Sequence, residues 1–147
     1  MKCHFDHEKL DVYRVVLEFI TWTTGLLEEL RSPVGVKVGE VFDHLDRASL
    51  SVLFNTAEGN GKRRMKTRAR FFDDARGSTT ECAACLDALV AKGVCSSERV
   101  QDGKELLVKS YAMLTRLVSR FSGDNVVREE GEDYRVRIED ECEDEDD

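Results

Sequence analysis

The chain has 147 residues, of which 41% are apolar, and a formal net charge of −8. That length suits one domain with one core, and the apolar share excludes a globally disordered chain. No apolar run approaches the ~20 residues of a membrane span, and the polar opening MKCHFDHEKLD carries no secretion signal.

The first helical stretch covers residues 6–30. Leu10, Tyr13, Leu17, Ile20, Thr24 and Leu27 recur at three- and four-residue intervals as a core-facing stripe, widened by Val12, Val16, Phe19 and Leu26. Ser32, Pro33 and Gly35 end it, because the residue before a proline resists helical geometry. The second stretch covers residues 37–58, with Val41, Leu45, Ala48 and Val52 as its apolar stripe and Gly59 and Gly61 as its stop. On another face Arg47, Ser51, Asn55 and Glu58 line up at intervals of four, four and three.

The third stretch covers residues 66–92, built on Phe71, Phe72, Ala75, Thr79, Cys82, Leu86 and Leu89 and closed by Gly93. Its mid-helix Gly77 costs about 1 kcal/mol relative to alanine, which predicts close approach of another backbone. Beside it Asp74, Ser78 and Glu81 form a second polar stripe, expected to face Arg47, Ser51, Asn55 and Glu58 across a tight helix contact. Ordinary solvent-facing polar residues are the alternative. The fourth stretch opens at Ser96 or Ser97 as cap, presents Leu106, Leu107, Ser110, Met113, Leu114, Leu117, Val118 and Phe121, and ends at Gly123.

Four amphipathic helices on short connections predict an all-α, antiparallel up-down-up-down bundle over residues 1–123. Residues 124–147 change character. Tyr134, Val136 and Ile138 alternate with charges, compatible with a short strand or hairpin, and EDECEDEDD is expected to be disordered. Residues 128–147 hold 12 acids and 3 bases, so the remainder carries 19 bases and 18 acids. The acidity therefore belongs to the tail, and the body is near neutral with a local basic cluster.

That cluster is Lys62, Arg63, Arg64, Lys66, Arg68 and Arg70, within nine residues of a loop-to-helix junction. It does not close a nucleotide-binding loop: Thr56 stands where the first glycine of G-x-x-x-x-G-K-[ST] belongs, and Arg63 where the hydroxyl belongs. Cations at a helix start oppose the dipole but can bind phosphates together with free backbone N–H groups. A solvated helix beginning is the other reading.

Five cysteines without framework spacing point to a reducing cytoplasm. Cys82 and Cys85, a C-x-x-C pair on a core-facing helix, read as packed thiols without the ligands of a zinc site. Cys3, His4 and His7 form no recognisable metal set, and His44 stands alone. Trp22 reads as core or interface. Glu58 and Glu81 are the one carboxylate pair on opposing helices, without the Glu-x-x-His elements of metal-bridging bundles. No catalytic residue, metal or cofactor is expected.

The runs Arg47-Ala48-Ser49-Leu50-Ser51-Val52 and Asn55-Thr56-Ala57-Glu58-Gly59 resemble the RRAxxSIxxNIAEG segment of small four-helix proteins encoded in intervening sequences of bacterial large-subunit ribosomal RNA genes. Arg70-Phe71-Phe72, Ala75-Arg76-Gly77-Ser78 and Glu81 resemble that family's third helix, and Leu10-Asp11-Val12-Tyr13 its opening. The match spans about residues 6–121. Thr56 replaces the usual isoleucine, Phe54 a position often small, and the acidic tail lies outside the shared pattern. A sister group is the accessory variability protein of diversity-generating retroelements. The resemblance implies a non-catalytic homopentamer that binds RNA or DNA through basic surfaces. The alternative is an assembly scaffold that recruits a protein such as a reverse transcriptase.

Overall fold

A computed structural model of the chain describes residues 2–30 and 35–123. The proposed helix stop at Ser32 and Pro33, the Tyr134–Ile138 strand or hairpin and the disorder of residues 139–147 lie outside the described residues. The protein is an antiparallel four-helix bundle: α1 (Asp11–Glu29), α2 (Gly39–Gly61), α3 (Met65–Ala91) and α4 (Gln101–Ser122). Each helix packs on its sequence neighbours, and α1 closes the square against α4. The core runs through all four, with Phe19, Leu26, Leu45, Val52, Phe72, Leu86, Leu89 and Leu114 sealed from solvent.

Periodicity located the buried faces of α2, α3 and α4, but that of α1 is rotated. Val12, Val15, Val16, Phe19, Thr23 and Leu26 are buried, whereas Leu10, Tyr13, Leu17, Ile20 and Leu27 are half-buried and Thr24 is exposed. The valine and phenylalanine positions win because α1 packs between α2 and α4, where the fully apolar arc faces inward.

Three boundaries differ from those expected. The first helix starts at Asp11, not Asp6. A 3₁₀ turn over Asp6–Lys9 comes first and Leu10 is extended. The Glu8 carboxylate holds that turn by accepting N–H groups of His4 and Phe5. The second helix passes through Gly59 and ends at Gly61, the second of the two glycines expected to stop it. A Cβ on Gly59 would stand 3.0 Å from the Phe71 Cβ and 3.1 Å from the Phe72 ring. That glycine therefore serves close packing of α2 on α3, not termination. Ser96 caps a preceding turn by accepting the Arg99 N–H at 3.2 Å, and α4 itself begins at Gln101. Gly93 does close α3: in left-handed geometry it lets Gly93 N–H reach the Val90 carbonyl at 2.9 Å and Val94 N–H the Leu89 carbonyl at 3.0 Å.

Candidate nucleic-acid interface

The α2–α3 connection is short because α2 runs to Gly61 and α3 starts at Met65. It therefore concentrates the basic residues at one end of the bundle. Arg63, Arg64, Lys66 and Arg70 are exposed, and Lys62 and Arg68 are half-buried. Among the described residues, none of the six lies within ion-pair distance of a carboxylate. Three engage aromatic rings instead. Lys62 Nζ lies 4.9 Å from the Phe71 ring centre and the Arg70 guanidinium 5.5 Å from it. The Arg68 guanidinium lies 5.3 Å from the Phe121 ring, and its Nε donates to the Lys62 carbonyl. Arg68 is thus a strut that ties the turn to the end of α4. Arg63, Arg64 and Lys66 project free.

Arg64 occupies the N-cap position of α3 without a side-chain hydrogen bond, and the first turn holds no acid. The first N–H groups of α3 therefore have no side-chain cap from Arg64, and the cations of the turn adjoin them in sequence. An anion at this end would meet both. Burial of Phe72 and its stacking on Phe121, at 5.8 Å between centres, hold the end of α4 beside this turn.

The polar stripes do meet between α2 and α3, in part. Ser51 Oγ and Ser78 Oγ are 2.8 Å apart. Asn55 Nδ2 donates to the Ser51 carbonyl at 3.0 Å and to Ser51 Oγ at 3.1 Å. Ser78 Oγ donates to the Asp74 carbonyl at 3.1 Å. Each hydroxyl has one hydrogen, so the direction is fixed: Asn55 to Ser51, Ser51 to Ser78, Ser78 to Asp74. One turn further on, His44 Nε2 and Glu81 Oε2 are 3.2 Å apart, so His44 is not alone. Arg47 and Glu58 are exposed and take no part. Glu58 adjoins Gly59, which packs at the level of Phe71, ten residues along α3 from Glu81. At 1.5 Å per residue that is about 15 Å, so these carboxylates form no pair.

Gly77 also departs from expectation. It is exposed, with nothing among the described residues within 4 Å of where its Cβ would be. It floors an open polar groove of about 680 Å³ beside Ser78, Thr80, Glu81 and Tyr111. Arg76 in that groove is already engaged: Nη2 donates to Asp73 Oδ1 at 2.8 Å, Nη1 to Thr115 Oγ1 at 3.4 Å, and the guanidinium lies over Tyr111. It adds nothing to the free basic end. The close approach predicted for Gly77 occurs at Gly103, where a Cβ would lie 2.2 Å from the Trp22 ring. Composition marks neither glycine; only the helix placement separates them.

Cys82 and Cys85 are buried free thiols. Burial, with lesser contributions from the neighbouring Cys85 and Glu81, pushes Cys82 up to about 12, and burial raises Cys85 as well. Both are packed thiols whose burial disfavours the thiolate. His7 stacks near Phe5 and edge-on to Tyr13, and Cys3 is a free thiol. No group of three or more His, Cys, Asp or Glu among the described residues is arranged to hold a metal ion. No helix among them is long and apolar enough to cross a membrane.

No curated protein matches the chain. The family model described as 23S rRNA-intervening sequence protein matches residues 8–116, a span that runs from the 3₁₀ turn through most of α4 and includes the whole basic turn. With the four-helix bundle and the motifs of α2 and α3, that match establishes that the chain belongs to the 23S rRNA-intervening sequence protein family.

Proposed function

We propose that this protein is a non-enzymatic, oligomeric accessory protein whose α2–α3 end grips the backbone of RNA or DNA. The observation that carries this reading is the cluster Lys62–Arg70: six cations without a carboxylate within ion-pair distance among the described residues, set against a helix start without a side-chain cap. Such a surface contacts phosphates and gives affinity with little reading of sequence. One chain offers a small patch. The homopentamer implied by the resemblance to intervening-sequence proteins, and to the retroelement accessory protein, would repeat it around a ring.

The test is binding of an oligonucleotide across a salt series. The native chain should weaken steeply with salt. The triple variant Arg63→Glu, Arg64→Glu and Lys66→Glu should lose at least about tenfold in affinity and much of the salt slope, with an unchanged helical circular-dichroism spectrum. These three residues project free, so folding should not depend on them; undiminished binding by the variant refutes the reading. Light scattering on the same samples counts the subunits.

A second reading is a scaffold that recruits a protein, such as a reverse transcriptase. It draws on an apolar groove of about 500 Å³ along α4, lined by Val108, Ala112 and Met113, with Val108 exposed. It predicts capture of a protein that survives high salt, without nucleic-acid binding.

A further inference from the structure

The last described residue, Gly123, leaves α4 at the basic end of the bundle. Phe121 stacks on Phe72 at 5.8 Å and lies 5.3 Å from the Arg68 guanidinium. The chain continues from there for 24 residues, and the final nine, residues 139–147, hold eight acids and no base. They begin 16 residues beyond Gly123, a stretch that reaches up to about 50 Å when extended. Reach alone would allow any surface of the bundle, since the 22-residue α4 is only about 33 Å long. Charge selects among them. At the far end Arg99 pairs with Glu29 and Lys104 with Asp87, and the exposed Lys37 and Lys92 are single cations that form no run. At the near end Arg63, Arg64, Lys66 and Arg70 face solvent without a carboxylate within ion-pair distance among the described residues.

We infer that the acidic segment 139–147 of this chain docks on the Lys62–Arg70 surface and competes with nucleic-acid phosphates for it. The regulatory part rests on the proposed reading of that surface as a nucleic-acid interface; the docking itself does not. Tethering holds the segment at an effective concentration of order millimolar, which favours it over weak, non-specific anions. A polyanion that engages several copies of the patch at once displaces it. The net effect is a higher threshold for binding, with short or isolated phosphates excluded.

Two measurements on the full chain test this. The first is carbodiimide coupling, which activates a carboxylate so that a lysine amine within contact forms an amide and the activator departs as its urea. Mass spectrometry of the tryptic peptides should find carboxylates of residues 139–147 joined to Lys62 or Lys66 at low salt and lost at high salt. The Lys104–Asp87 pair serves as the internal control. The second is the affinity of an oligouridine RNA for the native chain and for a full-length variant with the eight acids of residues 139–147 changed to amides, as in Glu139→Gln. Neutralisation should tighten RNA binding by about tenfold at low salt.

Cross-links with tighter binding support docking and competition together. Cross-links without RNA binding by either form support docking and overturn the nucleic-acid reading. Cross-links with equal RNA affinity overturn the competition. The absence of cross-links to Lys62 and Lys66, with the control pair joined, overturns the docking, and RNA binding by the native chain then leaves the proposed function standing.

Discussion

Thr23 faces the core from α1, and its buried hydroxyl has no hydrogen-bond partner among the described residues. A helical threonine ordinarily donates to the carbonyl three or four residues back, as Thr24 does to Ile20 at 2.8 Å and Thr56 to Val52 at 2.7 Å. Thr23→Val keeps the shape and removes the orphaned group, so it should raise unfolding free energy by about 1 kcal/mol in a urea titration. The glycines give the converse lesson. Gly103→Ala drives a methyl into the Trp22 ring and should cost about 1–3 kcal/mol, whereas Gly77→Ala meets open space in a helix interior and should gain about 0.5–1 kcal/mol. The same denaturation experiment reads all three. A mid-helix glycine announces itself in the sequence, but the reason for its presence depends on which neighbour lies over it. For that reason the close approach expected at Gly77 is found at Gly103 and Gly59.

At the level of the helix, the α2–α3 pairing is held by packing of Phe72 and Val52 in the core and by the directed chain Asn55, Ser51, Ser78, Asp74 along one edge. Ser51→Ala and Ser78→Ala should each cost about 1 kcal/mol. The double variant should cost less than the two together, since the second loss removes a group that the first has already left unmatched. Additive costs in a double-mutant cycle would show that the Ser51–Ser78 contact carries no coupling. The polar stripes were legible as four-residue spacings in the sequence. Which members meet was not. Antiparallel register sets Ser51 against Ser78, and leaves Arg47 and Glu58 on the outside. The same limit explains α1, where two overlapping apolar stripes fit the periodicity and only contact with α2 and α4 decides which faces inward.

For the whole molecule, the charges divide by location. One end holds the pairs Arg99–Glu29 and Lys104–Asp87, whereas the six cations of the α2–α3 turn have no carboxylate within ion-pair distance among the described residues. Hydrogen bonding and charge from Arg99 hold the Glu29 carboxyl below its ordinary value of 4.5. A lowered carboxyl supports the fold fully above its unfolded value and loses that support as pH falls through the lower folded value. Glu29→Gln should therefore lower the urea midpoint at neutral pH and converge with the native chain in acid. A difference that persists in acid would assign the effect to packing.

What the residues alone determined is the class of the molecule: four apolar periodicities of 3.6, one proline, and a basic run set apart from an acidic tail fix a helical bundle with a charged end. Local periodicity carries that information because each helix must bury one stripe. The α2 and α3 motifs were likewise enough to indicate the family. The tertiary structure decided what depends on neighbours distant in sequence. It shows that Arg68 is a strut on Phe121 while Arg63, Arg64 and Lys66 stand free, that Gly59 continues α2 under Phe71 and Phe72, and that α4 ends beside the basic turn. Those outcomes follow from helix register and side-chain contact, and no spacing along a single chain encodes them.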